Sequence, residues 1–180
     1  ALALVVAGFA YLSLTVLAPW QLGKNTTTSR ENNQIKASLS ADPVAVTSFL
    51  PRQDSSAPED QWRQVTATGR YLPGVQVLAR LRLIAGKPAF EVLTAFAVDG
   101  GPTVLVNRGF VRPSQGTEMP TVAPPTTGTV RITARLRDPE TAPVEDMQPF
   151  RENGTWQVYA IDTRQIAAIT ETPLTISYLQ

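Results

Sequence analysis

Cysteine and histidine are both missing from this 180-residue chain. Without cysteine there is no disulfide framework, no thiolate metal site and no thiol nucleophile. Without histidine the commonest metal and haem ligand is gone, and so is the commonest general base. An enzyme built on this sequence would have to work with carboxylates, Lys, Tyr or Ser. No nucleophile, paired-carboxylate or phosphate-loop constellation is present, and GGPTVLVNRG has glycines without the strand–loop–helix order of a dinucleotide site. The sequence therefore argues against an enzyme, against a metal site and against a bound cofactor in this segment. An excess of one charge is lacking too: 16 basic residues stand against 15 acidic ones, for a net +1. No basic block is available for phosphates, which removes nucleic acid as a partner.

Charge is also absent from one long stretch. ALALVVAGFAYLSLTVLAPW, residues 1–20, carries none, and the first charge along the chain is Lys24. The residues before Pro19 would span about 27 Å as a helix, near the ~30 Å of a bilayer core. A secretory signal peptide would need a basic opening region, and a core helix would show a polar face. A membrane anchor fits better, with Trp20 as an interfacial aromatic. Because the chain opens at Ala1 without Met, this anchor is expected to begin upstream.

Residues 21–61 read as a polar linker with one short helical turn. In DPVAVTSFLP, residues 42–51, Asp42 is placed to cap that turn, with Pro43 at its first position. Residues 62–180 read as a β-rich domain. WRQVTATGRYL and VQVLARLRLI alternate with period two on either side of a Pro73-Gly74 turn, and AFEVLTAFAV and TVLVNRGFV follow after Gly-containing turns. Together these make an antiparallel meander. The proline-rich stretch 112–128 is a loop. TVRITARLRDP and GTWQVYAID are further strands, Asp162 caps a short helix bearing Ile166 and Ile169, and PLTISYL restarts a strand. The fold class is mainly β, with α+β character from small helices, and open to barrel-like closure.

One stretch breaks its own pattern. In TVLVNRGFVRP, residues 103–113, alternation puts Val104, Val106, Arg108, Phe110 and Arg112 on one face. A buried guanidinium needs partners. Either Arg108 is held by an acid on the adjacent strand, Glu91 or Asp99, or Gly109 forms a bulge that turns it outward to meet a ligand.

VLVNRGFVRP resembles the central signature of the Surfeit locus protein one family. PWQLGK at 19–24, WRQVTATGRYLPG at 62–74, GTVRITARLRDPE at 128–140 and TWQVYAIDTRQIAAITETPLTISYLQ at 155–180 resemble further family segments, in order and across nearly the whole chain. The resemblance implies a β-rich domain outside the cytoplasm, held in the cell membrane by an N-terminal helix and a second helix expected beyond residue 180. It implies a role in assembling haem-copper cytochrome c oxidase, with the catalytic subunit as partner, when haem a and copper are installed. A family member that stays on the mature oxidase, or in a supercomplex with the cytochrome bc complex, is equally compatible. An unrelated membrane-anchored β-barrel binding module is the reading that needs no resemblance. Some family members are thought to hold haem a through a histidine on the second membrane helix, which this chain does not contain. Asn107, Arg108 and Gly109 match the signature, as do Trp20, Gln21, Gly69, Tyr71, Trp156 and Asp162. Of these, Arg108 with Asn107 is the candidate contact to a haem propionate or an oxidase subunit. Gly69 and Tyr71 are expected to maintain the fold, as a strand bend and a packed aromatic, and Trp156 to pack on the sheet.

Overall fold

A computed structural model describes residues 41–141 and 147–180, together with Tyr11, Thr15, Ile35 and Lys36. The chain divides into two compact units, residues 1–40 and 41–180. In the first, the Thr15 hydroxyl donates to the Tyr11 carbonyl at 2.7 Å. The expected anchor and the stretch 21–40, with Trp20 and Gln21, otherwise lie outside the described residues. Among the described residues no helix is long and apolar enough to cross a membrane.

The second unit opens with a short strand, β1 (Val44–Ala45), and a 3-10 turn at Val46–Ser48. Ala45 precedes that turn and makes no side-chain cap bond, so Asp42 and Pro43 do not start it. Val46 and Leu50 instead enter the core. The remaining strands are β2 (Gln64–Ile84), β3 (Lys87–Val98), β4 (Thr103–Val111), β5 (Val130–Arg137), β6 (Phe150–Glu152), β7 (Thr155–Val158) and β8 (Tyr178–Leu179), with one helix, α1 (Thr163–Thr170). β2, β3 and β4 form the expected antiparallel meander. β8 then pairs with β4 and β5, and β5 returns to β2, so that β2–β3–β4–β8–β5 closes into a ring of strands.

The Pro73-Gly74 dipeptide does not turn the chain. β2 runs through it and pairs with β3 on both sides, with Leu72–Val75 swelling out between Tyr71↔Phe96 and Gln76↔Thr94. Proline has no N–H to offer a ladder, and here it falls where the ladder is interrupted. A real hairpin forms later, at Asn153-Gly154, where both residues have positive φ (48° and 81°) and join β6 to β7. That Asn-Gly pair is a strong short-hairpin signal, and it adds β6 ahead of the strand the sequence places at 154–162, which itself ends at Val158.

The two larger of three apolar clusters among the described residues lie on opposite faces of the sheet. One draws Val65, Ala67, Phe96, Val98, Val104, Val106, Leu136 and Leu179 from every strand of the ring. The other lies beneath α1, where Ile166 packs with Val77, Leu93, Leu105 and Tyr178. The third joins Leu78, Phe90 and Val92 to Met119 and Val122 of the proline-rich loop. Asp162 caps α1 as its sequence position demands, accepting from the backbone N–H groups of Arg164 and Gln165. Gly69 is paired on both sides, to Val98 and to Val130. A Cβ there would lie 2.0 Å from the Ala97 carbonyl oxygen, so Gly69 serves close backbone approach rather than a bend.

Candidate functional site

The signature strand β4 carries a bulge where the sequence breaks its alternation. Leu93 pairs with Asn107 and Glu91 with Phe110, so Arg108 and Gly109 together face the single residue Val92. Gly109 has φ 103°, a conformation that costs other residues dearly. The extra residue resets the alternation. Phe110 therefore shares the Glu91 face rather than continuing the Val104–Val106 face, and it is 47% exposed.

Asn107 locks the bulge. Its Oδ1 accepts from Gly109 N at 3.0 Å, and its Nδ2 donates to Glu91 Oε1 at 2.9 Å. The other oxygen of Glu91 meets Arg82 Nε at 2.7 Å. Arg82 Nη2 continues to Glu140 Oε2 at 2.5 Å, and that oxygen also accepts from the backbone N of Ile161 at 2.9 Å. A chain of hydrogen bonds, joined by the Arg82–Glu91 ion pair, thus runs from Gly109 to the residue before the Asp162 cap. Tyr178 lies in the field of the same charges. Burial pushes its hydroxyl pKa up, against Arg137, which lowers it.

Among the described residues no acid holds Arg108. Glu91 is engaged by Asn107 and Arg82, and Asp99 is used at its backbone, where its N–H donates to Thr68 O. Arg108 Nη1 donates to Gln76 Oε1 at 3.1 Å, and both Nη atoms reach Ala123 O at 3.3–3.4 Å. Nη2 also meets Pro124 O at 3.3 Å. The guanidinium carbon lies 5.6 Å from the centre of the Tyr71 ring, and Tyr71 makes an edge contact with Phe96. Burial raises the Tyr71 pKa, an effect Arg108 opposes. Arg108 thus fastens the proline-rich segment to β2.

The other sequence candidates lie apart. Trp156 pairs through β7 with Val77 and packs against the cluster under α1, with the Arg151 guanidinium 5.5 Å from its ring. Asn107, Gly109 and Asp162 are brought onto one bonded chain, whereas Gly69, Tyr71 and Arg108 belong to the ring side of the sheet. Sequence reading missed Arg82 and Glu140, whose only signal was charge within an otherwise alternating strand and its neighbourhood. Among the described residues no group of acidic residues is arranged to hold a metal. With no histidine or cysteine in the chain, these residues do not fit the usual axial ligation of a haem.

Residues 8–180 match the family model described as the SURF1 family. The chain belongs to the SURF1 family. It is 61% identical, over all 180 residues, to uncharacterized SURF1-like proteins of Mycobacterium bovis and Mycobacterium tuberculosis. A SURF1-like protein of Monosiga brevicollis is 29% identical over 177 residues, covering 89% of this chain and 65% of that protein. The chain spans 66% of the length of the mycobacterial relatives. The family is generally associated with cytochrome oxidase assembly and with membranes. An unrelated binding module no longer accounts for the ordered motifs.

Proposed function

We propose that the chain is the extracytoplasmic part of a membrane-anchored factor for biogenesis of haem-copper cytochrome c oxidase, acting on the catalytic subunit while haem a is installed. The family match over residues 8–180 carries this reading. The site is in keeping with it: Asn107 and Arg108 spend their polar groups on holding the bulge and the proline-rich loop. In this reading Arg108 works by positioning the loop it grips, and the loop meets the partner. Any haem ligand would come from outside these residues.

The test is a gentle solubilisation of membranes containing the tagged full-length protein, followed by the molar ratio of captured oxidase. A small captured fraction enriched in haem-poor catalytic subunit is expected. A near-equimolar ratio with haem-replete oxidase would replace the transient factor by a resident subunit. Absence of oxidase would overturn both.

A further inference from the structure

Within residues 41–180, the large apolar side chains most exposed among the described residues are Leu81 (58%), Leu83 (74%) and Phe110 (47%). They are not scattered. Leu81 and Leu83 lie at the end of β2, and Leu83 pairs with Pro88 beside the β2–β3 turn. Phe110, opposite Glu91, lies a few residues along β3 from the same turn but on the other face of the sheet, so the leucine pair stands by itself on its side. Single exposed leucines need no explanation, but a cluster at one end of a sheet does.

The leucines are exposed by construction. Ala79 pairs with Glu91 and Arg82 with Ala89, so Arg80 and Leu81 together face Phe90 across a second bulge. Leu81 takes φ 58°, an unfavourable backbone for a leucine. Without this extra residue, alternation from Val77 and Ala79 would turn Leu81 and Leu83 toward the cluster under α1. With it, Arg82 turns that way and meets Glu91 and Glu140, while the leucines turn out. They border a cleft of about 250 Å³ with Pro88, Phe90 and Thr117.

The hairpin tip is also held rigid. Arg112 Nη1 donates to Lys87 O at 2.8 Å and Pro88 O at 3.1 Å, and Nη2 donates to Ile84 O at 2.9 Å. Its guanidinium lies 5.0 Å from the Phe110 ring centre. Ala85 and Gly86 make the turn with positive φ at both positions. The result is a stiff apolar tip flanked by the cations Lys87 and Arg112. Arg80 turns away to the Phe150 and Tyr159 rings at 5.1 and 5.7 Å, and Glu91 and Glu140 are held by Arg82, leaving Glu118 as the exposed acid on the loop after Thr117.

We infer that the β2–β3 hairpin inserts into the interface of an anionic lipid bilayer. Aliphatic tips with basic flanks match that surface: the leucines enter the acyl boundary while the cations meet headgroup phosphates. Protein hot spots favour Trp, Tyr and Arg, and leucine is under-represented there. The uncharged stretch 1–20 and the family's membrane association would keep a bilayer within reach, so a small apolar contact suffices. This inference does not depend on the oxidase as partner.

The cysteine-free sequence makes the test direct. The full chain carrying Leu83→Cys is labelled with an environment-sensitive fluorophore and reconstituted in phosphatidylglycerol-containing vesicles with bilayer-embedded nitroxide lipid. Ser56→Cys is the control. It lies at the far end of β3, since Gln53 bonds Thr103, which pairs with Ala97. Flotation first shows that the chain is on the vesicles. Strong quenching at position 83, several-fold above position 56, is expected, weakening when phosphatidylglycerol is replaced by phosphatidylcholine. Flotation with equal, weak quenching at both positions would overturn the inference and leave the tip to a protein partner, without touching the anchor. Failure to float would overturn it as well.

Discussion

Asn107 binds Glu91 through its amide nitrogen while its oxygen closes on the backbone of Gly109 two residues on. One side chain therefore sets the bulge geometry and also anchors the bulge to a network that reaches Arg82 and Glu140. Few side chains could do both. An aspartate offers no donor to Glu91, and a serine is too short to span both contacts.

Replacing Asn107 by alanine is expected to cost about 1–3 kcal/mol, because it leaves Gly109 N–H and one Glu91 oxygen short of a partner in a partly buried setting. Urea unfolding at constant m-value checks this, and an unchanged midpoint would show that water replaces the amide without loss. Additivity with Arg82→Ala is expected to fail, since both act on Glu91.

Glycine to alanine should act by different physics at two sites. At Gly109 a Cβ meets nothing within 4 Å, so the cost is conformational, on the order of 1 kcal/mol, for leaving φ 103°. At Gly69 the backbone is ordinary but the Cβ would collide with Ala97 O at 2.0 Å. β2 and β3 would have to part, and β5 with them. Gly69→Ala is therefore expected to be much the more damaging, as a comparison of melting temperatures would show. The reverse ranking would mean that the sheet yields more easily than the bulge.

Alkaline pH should destabilise the fold through Tyr178. Its folded-state pKa is raised above the usual 10.0, chiefly by burial, so the fold favours the neutral phenol. The stabilisation is fully present below about pH 10 and is lost as pH rises through the folded value. Tyr178→Phe removes the group that must ionise, so its stability should fall less steeply above pH 10 than that of the unaltered chain. Parallel curves in chemical denaturation across that range would assign the alkaline loss to other groups.

The strand pattern, the Asp162 cap and the glycine bulge were legible because each is a local rule. Period-two alternation marks a half-buried strand, an Asp before an amphipathic run marks a helix start, and a mid-strand glycine marks a bulge. What escaped was tertiary. The second bulge at Leu81 has no glycine, and Arg82 beside it meets Glu91 across the hairpin and Glu140 far along the chain. The partners of Arg108 are largely main-chain carbonyls, which leave no mark on side-chain identity. Pro73-Gly74 misled for a related reason: it is a turn signal by composition, but β3 pairs with the strand on both sides and holds it straight through.

Arg108 offers the sharpest separation of a local role from a structural one. Arg108→Ala removes the bonds to Ala123, Pro124 and Gln76 but leaves the bulge, the Asn107 network and the two larger apolar clusters intact. The domain should stay folded, with faster amide exchange confined to the segment around Val122–Pro125. The Tyr71 pKa, already raised by burial, should rise further, because the cation that opposes the shift is gone. Arg108→Lys should restore the charge near Tyr71 yet hold the loop less firmly, since an ammonium lacks the planar fork that spans two carbonyls. Exchange and tyrosine titration would then separate: lysine rescues the second and not the first. If the alanine variant instead loosens the whole sheet, Arg108 is a register pin of the fold, and its hold on the loop is incidental.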